Sequence, residues 1–339
     1  MKKHVNIPVF IPHLGCPNQC VFCNQRLISG VETFSAGDVV QTIDLALSTI
    51  SQDTETEIAF FGGSFTGIDR ALMISLLETA QRYVDFGRVQ AIRLSTRPDY
   101  IDAEVLEILS RYSVRTIELG IQSMDDAVLR ASRRGHTAAA SARAAALVRE
   151  YGFSLVGQMM VGLPASTPES ERKTAAFICD AGAAAARIYP VVVFHGTELC
   201  GMMQSGLYAP LENDAAAERA ADILRIFVQH GVPVIRVGLC AGESLTSEDK
   251  VLGGAFHPAL GEMTMGRLYG RMIAERLRAY GGACAGKTVE VSVAPGEVSK
   301  AVGYRGENRE RLKKDFHIKR LKIVEKDGLM LYNILLRVY

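Results

Sequence analysis

The chain has almost no net charge, no long apolar run and no export segment, and each lack narrows its class. Thirty-eight Lys and Arg against 37 Asp and Glu leave a formal +1. Global electrostatics therefore select no partner, and any basic surface has to be local. Hydrophobic content is 48%, yet Gly, Pro or charge breaks every apolar run well short of the roughly 18 residues a membrane span needs. The opening MKKHVNIPVFIPHLGC has two lysines but also two prolines and no small-residue cleavage site, so it reads as a strand and not a secretory signal. No repeat recurs at solenoid periods. The length of 339 residues suits one large catalytic domain with a small appendage.

Cysteine is scarce and odd in number, at positions 16, 20, 23, 179, 200, 240 and 284. The close trio cannot sensibly pair within itself. The pattern suits metal binding in a reducing, cytoplasmic setting better than a disulfide framework.

Short apolar or β-branched runs at 5–11, 57–61, 91–95, 116–121, 155–163 and 186–194 alternate with longer helical stretches. That alternation predicts right-handed βαβ units on a parallel sheet, an incomplete barrel or open α/β sheet whose chemistry gathers at the carboxyl ends of the strands. The alanine-rich HTAAASARAAALVRE has the spacing of a packed helix. Glycines in AYGGACAGK, residues 279–287, mark a boundary. The expected division is a barrel with its extension over 1–280 and a small unit over 286–339.

The trio lies in the loop after the first strand. C-x3-C-x2-C can hold three irons of a cubane cluster and leave the fourth open to chemistry. Spacing alone leaves two alternatives: a zinc site closed by a fourth ligand, for which His4 and His13 are the nearby candidates, and buried inert thiols.

Cys16-x3-Cys20-x-Phe22-Cys23 resembles the signature of the radical S-adenosylmethionine (SAM) superfamily, including the aromatic before the last cysteine. The resemblance implies a partial (β/α)6 TIM-like barrel and a [4Fe–4S] cluster on Cys16, Cys20 and Cys23. It also implies SAM chelated at the open iron and cleaved reductively to methionine and a 5'-deoxyadenosyl radical. Phe22 would border SAM. Gly62 and Gly63 of FFGGSFTG would let backbone approach the methionyl amino group, and Ser64 would add a hydroxyl. Gln122 and Arg134 would face ribose and carboxylate. Gln158 opens QMMVGLP, which resembles the segment bordering adenine. The family also implies an electron donor such as flavodoxin or ferredoxin.

Within the superfamily, TRPDYI, IELGIQSMDDAVLR, RRGHT, QMMVGLP and RIYPVVVFHGTELCGMMQSGLYAP resemble, in order, the radical SAM part of the Elongator catalytic subunit family, which modifies the tRNA wobble uridine. Departures stand beside this likeness. No acetyltransferase-like domain is expected after the barrel, and Ser95 stands where those relatives tend to have a carboxylate. Gln158 occupies a position that is aspartate in oxygen-independent coproporphyrinogen dehydrogenases, and GGAFHPALGEM at 253–263 is reminiscent of that group. His195, Cys240 and His257 are loop-placed and could contact substrate, though a structural role is the plainer reading, and Tyr189 could face the barrel mouth or equally pack in the core.

From Lys287 onward the pattern is strand, helix, Gly303-Tyr304-Arg305-Gly306, helix and two strands, which resembles a K-homology (KH) core whose G-x-x-G loop clamps a nucleic-acid backbone. Arg305 could add a phosphate contact. The expected function is a radical SAM enzyme acting on RNA, a tRNA base, with Gly303, Tyr304, Arg305 and Gly306 as the RNA-binding set. The alternatives are a tetrapyrrole-directed enzyme and a non-catalytic cluster or haem carrier.

Overall fold

The computed structural model describes residues 4–16, 20–239 and 250–339. Seven parallel strands form one curled sheet: β1 His4–Phe10, β2 Glu55–Phe61, β3 Ala91–Thr96, β4 Val114–Gln122, β5 Ser154–Val161, β6 Ala185–Pro190 and, beyond a short β7 Val192–Phe194, β8 Val234–Val237. Their spatial order is β1-β2-β3-β4-β5-β6-β8, open between its two edges, which is a half-barrel. The six alternating strands are joined by β8, in the run PVIRVGL at 233–239, which also reads as a strand; it is short and only partly buried. The run 186–194 also divides: β6 stays in the sheet, while β7 turns out to pair antiparallel with β9, Val251–Gly254. Cys240 lies outside the described residues.

Each strand places alternate residues on opposite faces. One face, with Ile58, Phe60, Ile92, Leu94, Ile117 and Leu119, packs on the surrounding helices through Met73, Leu77, Leu106 and Val148. Capping explains where several helices begin. Asp69, Asp102, Asp125, Thr137 and Thr167 each accept a backbone N–H of the first turn, which satisfies donors that helix geometry leaves unpaired. The alanine-rich stretch is the Ala138–Glu150 helix, which buries Ser141, Ala144, Ala145 and Val148; its small side chains let it lie close to the sheet.

The other, concave face carries charge. Glu57, Arg93, Glu118 and Arg187, from β2, β3, β4 and β6, form a ladder: Arg93 donates to Glu57 at 2.8 Å and to Glu118 at 2.9 Å, and Arg187 donates to Glu118 at 3.0 Å. Both carboxylates are buried. Paired this way, the charges fill a half-barrel floor that isolated carboxylates could not occupy.

The Leu260–Arg278 helix follows β9 and packs on the Asn213–Gln229 helix, with Arg267 and Arg271 on the carboxylates of Asp214, Glu218 and Asp222. Its far side buries Tyr269, Ile273 and Leu277 together with the terminal α+β unit. There, β10 Thr288–Val293 lies between β11 Arg320–Glu325, parallel to it, and β12 Leu335–Val338, antiparallel to it. The Val298–Val302 and Glu307–Asp315 helices cover one face of this sheet, joined by the GYRG turn.

Candidate active site at the mouth of the half-barrel

The loop after β1 folds over the carboxyl ends of β1 and β2. It sits backbone against backbone. A Cβ on Gly63 would lie 2.4 Å from the Leu14 carbonyl oxygen, and one on Gly15 would lie 2.2 Å from that of Ser64. The Ser64 N–H donates to Leu14 O at 2.9 Å. Gly15 and Gly62 also have positive φ, 71° and 91°, which glycine adopts without strain. The Gly-Gly pair therefore seats the cysteine loop. The fully buried Ser64 hydroxyl bonds Thr96 Oγ1 at 2.8 Å and accepts the Arg97 N–H at 3.2 Å, tying that loop to β3.

Cys20 is buried and Cys16 and Cys23 are partly so; all described cysteines are free thiols. Burial raises the Cys16 thiol, and the charges of Arg134 and Arg97 pull it back. Burial pushes Cys23 up to about 12, helped by the Cys20 charge. Arg134 is the group nearest the trio, its Nη1 3.3 Å from Cys20 Sγ and its Nη2 donating to Gly120 O at 2.8 Å. Among the described residues no three His, Cys, Asp or Glu side chains close on one metal position. The imidazoles do not complete a zinc set. His13 Nε2 accepts the Gln25 N–H at 2.9 Å, and His4 lies on Glu57 at 3.3 Å.

Near the thiols, among the described residues, buried polar atoms without a hydrogen-bond partner gather: Gln122 Oε1, Arg134 Nε and Arg97 Nη1. Most buried polar groups are paired, so such a cluster marks a place prepared for a polar ligand. Gln122 sits at a bulge where β4 and β5 slip register, and its φ is 64°. A non-glycine residue in that region is uncommon, and strain of this kind gathers at functional sites. Gly120 makes room for both neighbours: a Cβ there would lie 2.7 Å from Arg134 Nη2 and 2.9 Å from Gln122 Nε2.

Two residues here carry no signal in spacing alone. Arg97, 2% exposed, holds Asp99 with two hydrogen bonds of 3.0 and 2.8 Å and donates to Arg134 O at 2.6 Å, so it positions Arg134. His136 is driven down to about 4, by burial first and then by the Arg134 charge. It is a neutral imidazole at pH 7. The clue to Arg97 was its place directly after a strand, within TRPDYI.

The remaining candidates spread along the concave wall. Phe22 packs with Val21, Met160, Leu163 and Tyr189 in an apolar cluster beside the cysteines. Partly buried Gln158 lies across from Gly120 and Arg187. Tyr189 accepts from Arg187 at 3.3 Å, which places it between the cysteine loop and the charge ladder. Ser95 Oγ donates to Phe60 O at 3.4 Å. His195 is exposed. His257 accepts the Ala259 N–H at 3.0 Å and touches Tyr304 in the GYRG turn, 3.4 Å from its hydroxyl.

Residues 10–178 match the family model of the radical SAM superfamily, and residues 183–269 match that of the radical SAM C-terminal domain. The chain belongs to the radical SAM superfamily. It is a radical SAM enzyme, and the matched segment runs from the end of β1, through the cysteines and the Gln122–Arg134 constellation, to the helix after β5. A tRNA uridine(34) acetyltransferase of Dehalococcoides mccartyi is 28% identical over 55% of this chain and 41% of its own length. Mouse Elongator complex protein 3 is 32% identical over 42% of this chain and 26% of its own. The radical SAM chain thus spans less than half of these relatives. An uncharacterized protein of Methanocaldococcus jannaschii is 26% identical over 74% of this chain and 79% of its own. In three dimensions, Elp3 of Methanocaldococcus infernus with an N-terminal deletion superimposes with a TM-score of 0.60 at 19% identity, over 83% of this chain and 64% of that one, a likeness of fold.

Proposed function

We propose that the protein binds a [4Fe–4S] cluster on Cys16, Cys20 and Cys23 and SAM beside it, and uses them to modify a base of RNA, a tRNA uridine by the likeness of its named relatives. The observation that carries the cofactor assignment is the group of orphaned polar atoms of Gln122, Arg134 and Arg97 beside three thiols at the strand ends. The donor set fits: three thiolates bind iron well, a guanidinium 3.3 Å from Cys20 Sγ suits a carboxylate-bearing ligand, and its charge opposes the burial that raises Cys16 and Cys23. When bound, the cluster and SAM supply reductive cleavage of the sulfonium, chemistry no side chain can perform.

The chain's own residues orient and enclose. Arg97 fixes Arg134 through its carbonyl, and Arg134 and Gln122 present unpaired polar atoms to the ligand. Gly62 and Gly63 keep the cysteine loop close to the strand ends. Phe22, Val21, Met160 and Tyr189 form an apolar wall that excludes water from a reactive species. An electron donor of the flavodoxin or ferredoxin kind would serve the cluster. Among the described residues no helix is long and apolar enough to cross a membrane.

The terminal unit, residues 286–339 in this reading, would hold the RNA. Its Arg305 is exposed at the tip of the GYRG turn, with φ 53°. The assignment is tested by anaerobic reconstitution, reduction and addition of SAM. Wild type should carry about four irons and release 5'-deoxyadenosine, and Cys16→Ala, Cys20→Ala and Cys23→Ala should each lose both. A triple-alanine variant that still carried a redox-active cluster would overturn it.

A further inference from the structure

The GYRG turn is largely occupied as a joint. Gly303 is buried, and a Cβ on it would lie 2.9 Å from Asn308. Fully buried Asn308 donates to Gly266 O at 2.7 Å and to Ala301 O at 3.2 Å, stitching the turn to the Leu260–Arg278 helix. A Cβ on Gly270 of that helix would lie 2.3 Å from Asn308 Oδ1. Tyr304 stands edge-on to His257 with ring centroids 5.4 Å apart, and Arg305 folds over the Tyr304 ring at 5.2 Å.

The unpaired charge lies elsewhere. Three acids of this unit already have cationic partners: Glu297 has Lys300, Glu307 has Arg267 and Glu310 has Lys313. Val289, Val291, Leu321, Ile323 and Leu336 face the shared core, so the alternate residues of the same strands face solvent. On that open face Arg320, Lys322 and Arg337 are exposed and make no ion pair among the described residues, with Glu290 between them in register. Tyr339 extends β12, hydrogen-bonded to Thr288, and is 60% exposed.

We infer that this open sheet face, Arg320, Lys322, Arg337 and Tyr339, is the principal RNA grip. The inference rests on the RNA reading above. Three cations around one carboxylate attract a phosphodiester backbone, and an exposed aromatic offers a base a stacking surface. Cations on edge strands can also serve only to prevent sheet pairing, but an exposed tyrosine on the same face does the opposite of guarding it. The opposite face is closed by the Leu260–Arg278, Val298–Val302 and Glu307–Asp315 helices, so this face is the one open to a ligand, and the grip sets affinity more than chemistry.

The test is anisotropy of end-labelled bulk tRNA titrated with cluster-loaded protein over a series of KCl concentrations. Arg320→Gln/Lys322→Gln/Arg337→Gln should weaken binding about tenfold or more and flatten the log–log salt slope by about two, as expected for the loss of three phosphate contacts. Tyr339→Ala should weaken binding with the slope unchanged. SAM cleavage without RNA should be that of wild type in both, which also reports intact folding. Wild-type affinity and slope in the triple variant, with binding lost in Arg305→Gln, would overturn the inference and make the turn the grip. Absence of salt-sensitive tRNA binding by wild type would instead remove the RNA reading itself.

Discussion

Gly120→Ala separates a site effect from a folding effect. The added methyl would sit 2.7 Å from Arg134 Nη2 and 2.9 Å from Gln122 Nε2, and both are ends of flexible side chains. The backbone does not have to move, and an alanine in a strand recovers about 0.5–1 kcal/mol that glycine loses to unfolded-state entropy. Against that gain stands the buried Arg134–Gly120 hydrogen bond that the methyl displaces, about 1.5–3 kcal/mol, so stability should fall by no more than about 0.5–2.5 kcal/mol and the fold should persist. Arg134, however, must leave Gly120 O, now at 2.8 Å, and with it the position 3.3 Å from Cys20. Hydrogen bonds to charged groups contribute about 1.5–3 kcal/mol. Loss of one such contact corresponds to roughly a 10- to 150-fold fall in SAM affinity or in 5'-deoxyadenosine release. Equilibrium dialysis of SAM, anaerobic turnover and a denaturation curve read these separately. Wild-type SAM binding and cleavage in the variant would refute a role for the Gly120–Gln122–Arg134 arrangement, and collapse of the fold would refute the claim that only side chains stand in the way.

Other expectations follow the same logic. Gly63→Ala meets backbone oxygens at 2.4 and 2.6 Å, so it should displace the cysteine loop, cost about 1–3 kcal/mol and lower iron content per chain. Glu118→Gln leaves Arg93 and Arg187 on the half-barrel floor without their shared anion, and urea unfolding should show a loss of about 3–5 kcal/mol. His136 has its folded pKa lowered from 6.5 to about 4, so the unfolded chain binds the proton more readily. Its contribution is complete above pH 6.5 and is lost as pH falls toward 4, on the order of 2–3 kcal/mol by pH 4.5. His136→Gln should show a correspondingly shallower loss of stability between pH 7 and 4.5; an unchanged slope would contradict the burial of a neutral imidazole.

Much of this was legible because the period of the strands and the spacing of the cysteines are local signals. The trio stands out by its spacing, whereas Phe22, the Gly-Gly turn and Gln122 are singled out only by the resemblance to the radical SAM signature. Arg97 and His136 were not legible, because their importance lies in contacts with residues distant in sequence: Arg97 reaches the Arg134 carbonyl, and His136 is buried 3.9 Å from Asp99. The charge ladder left a faint trace, since ETEIAFF, AIRLS, TIELGI and ARIYP each place a charged residue within a buried strand, but only the register shows that Glu57, Arg93, Glu118 and Arg187 meet. β8 lies in PVIRVGL, a strand-like run outside the regular alternation of the first six, and only the pairing with β6 shows that it joins the sheet. The GYRG spacing suggested a clamp. Its packing against Gly266 and Gly270 depends on a helix more than thirty residues upstream, which no local motif encodes.

The most direct test of the central claim is mass spectrometry of nucleosides from tRNA incubated anaerobically with the reduced, cluster-loaded protein and SAM, with Cys20→Ala as control. The account predicts a change in mass of a uridine nucleoside that requires SAM and disappears in the variant. Release of 5'-deoxyadenosine at a rate indifferent to tRNA, with every nucleoside unchanged, would contradict it.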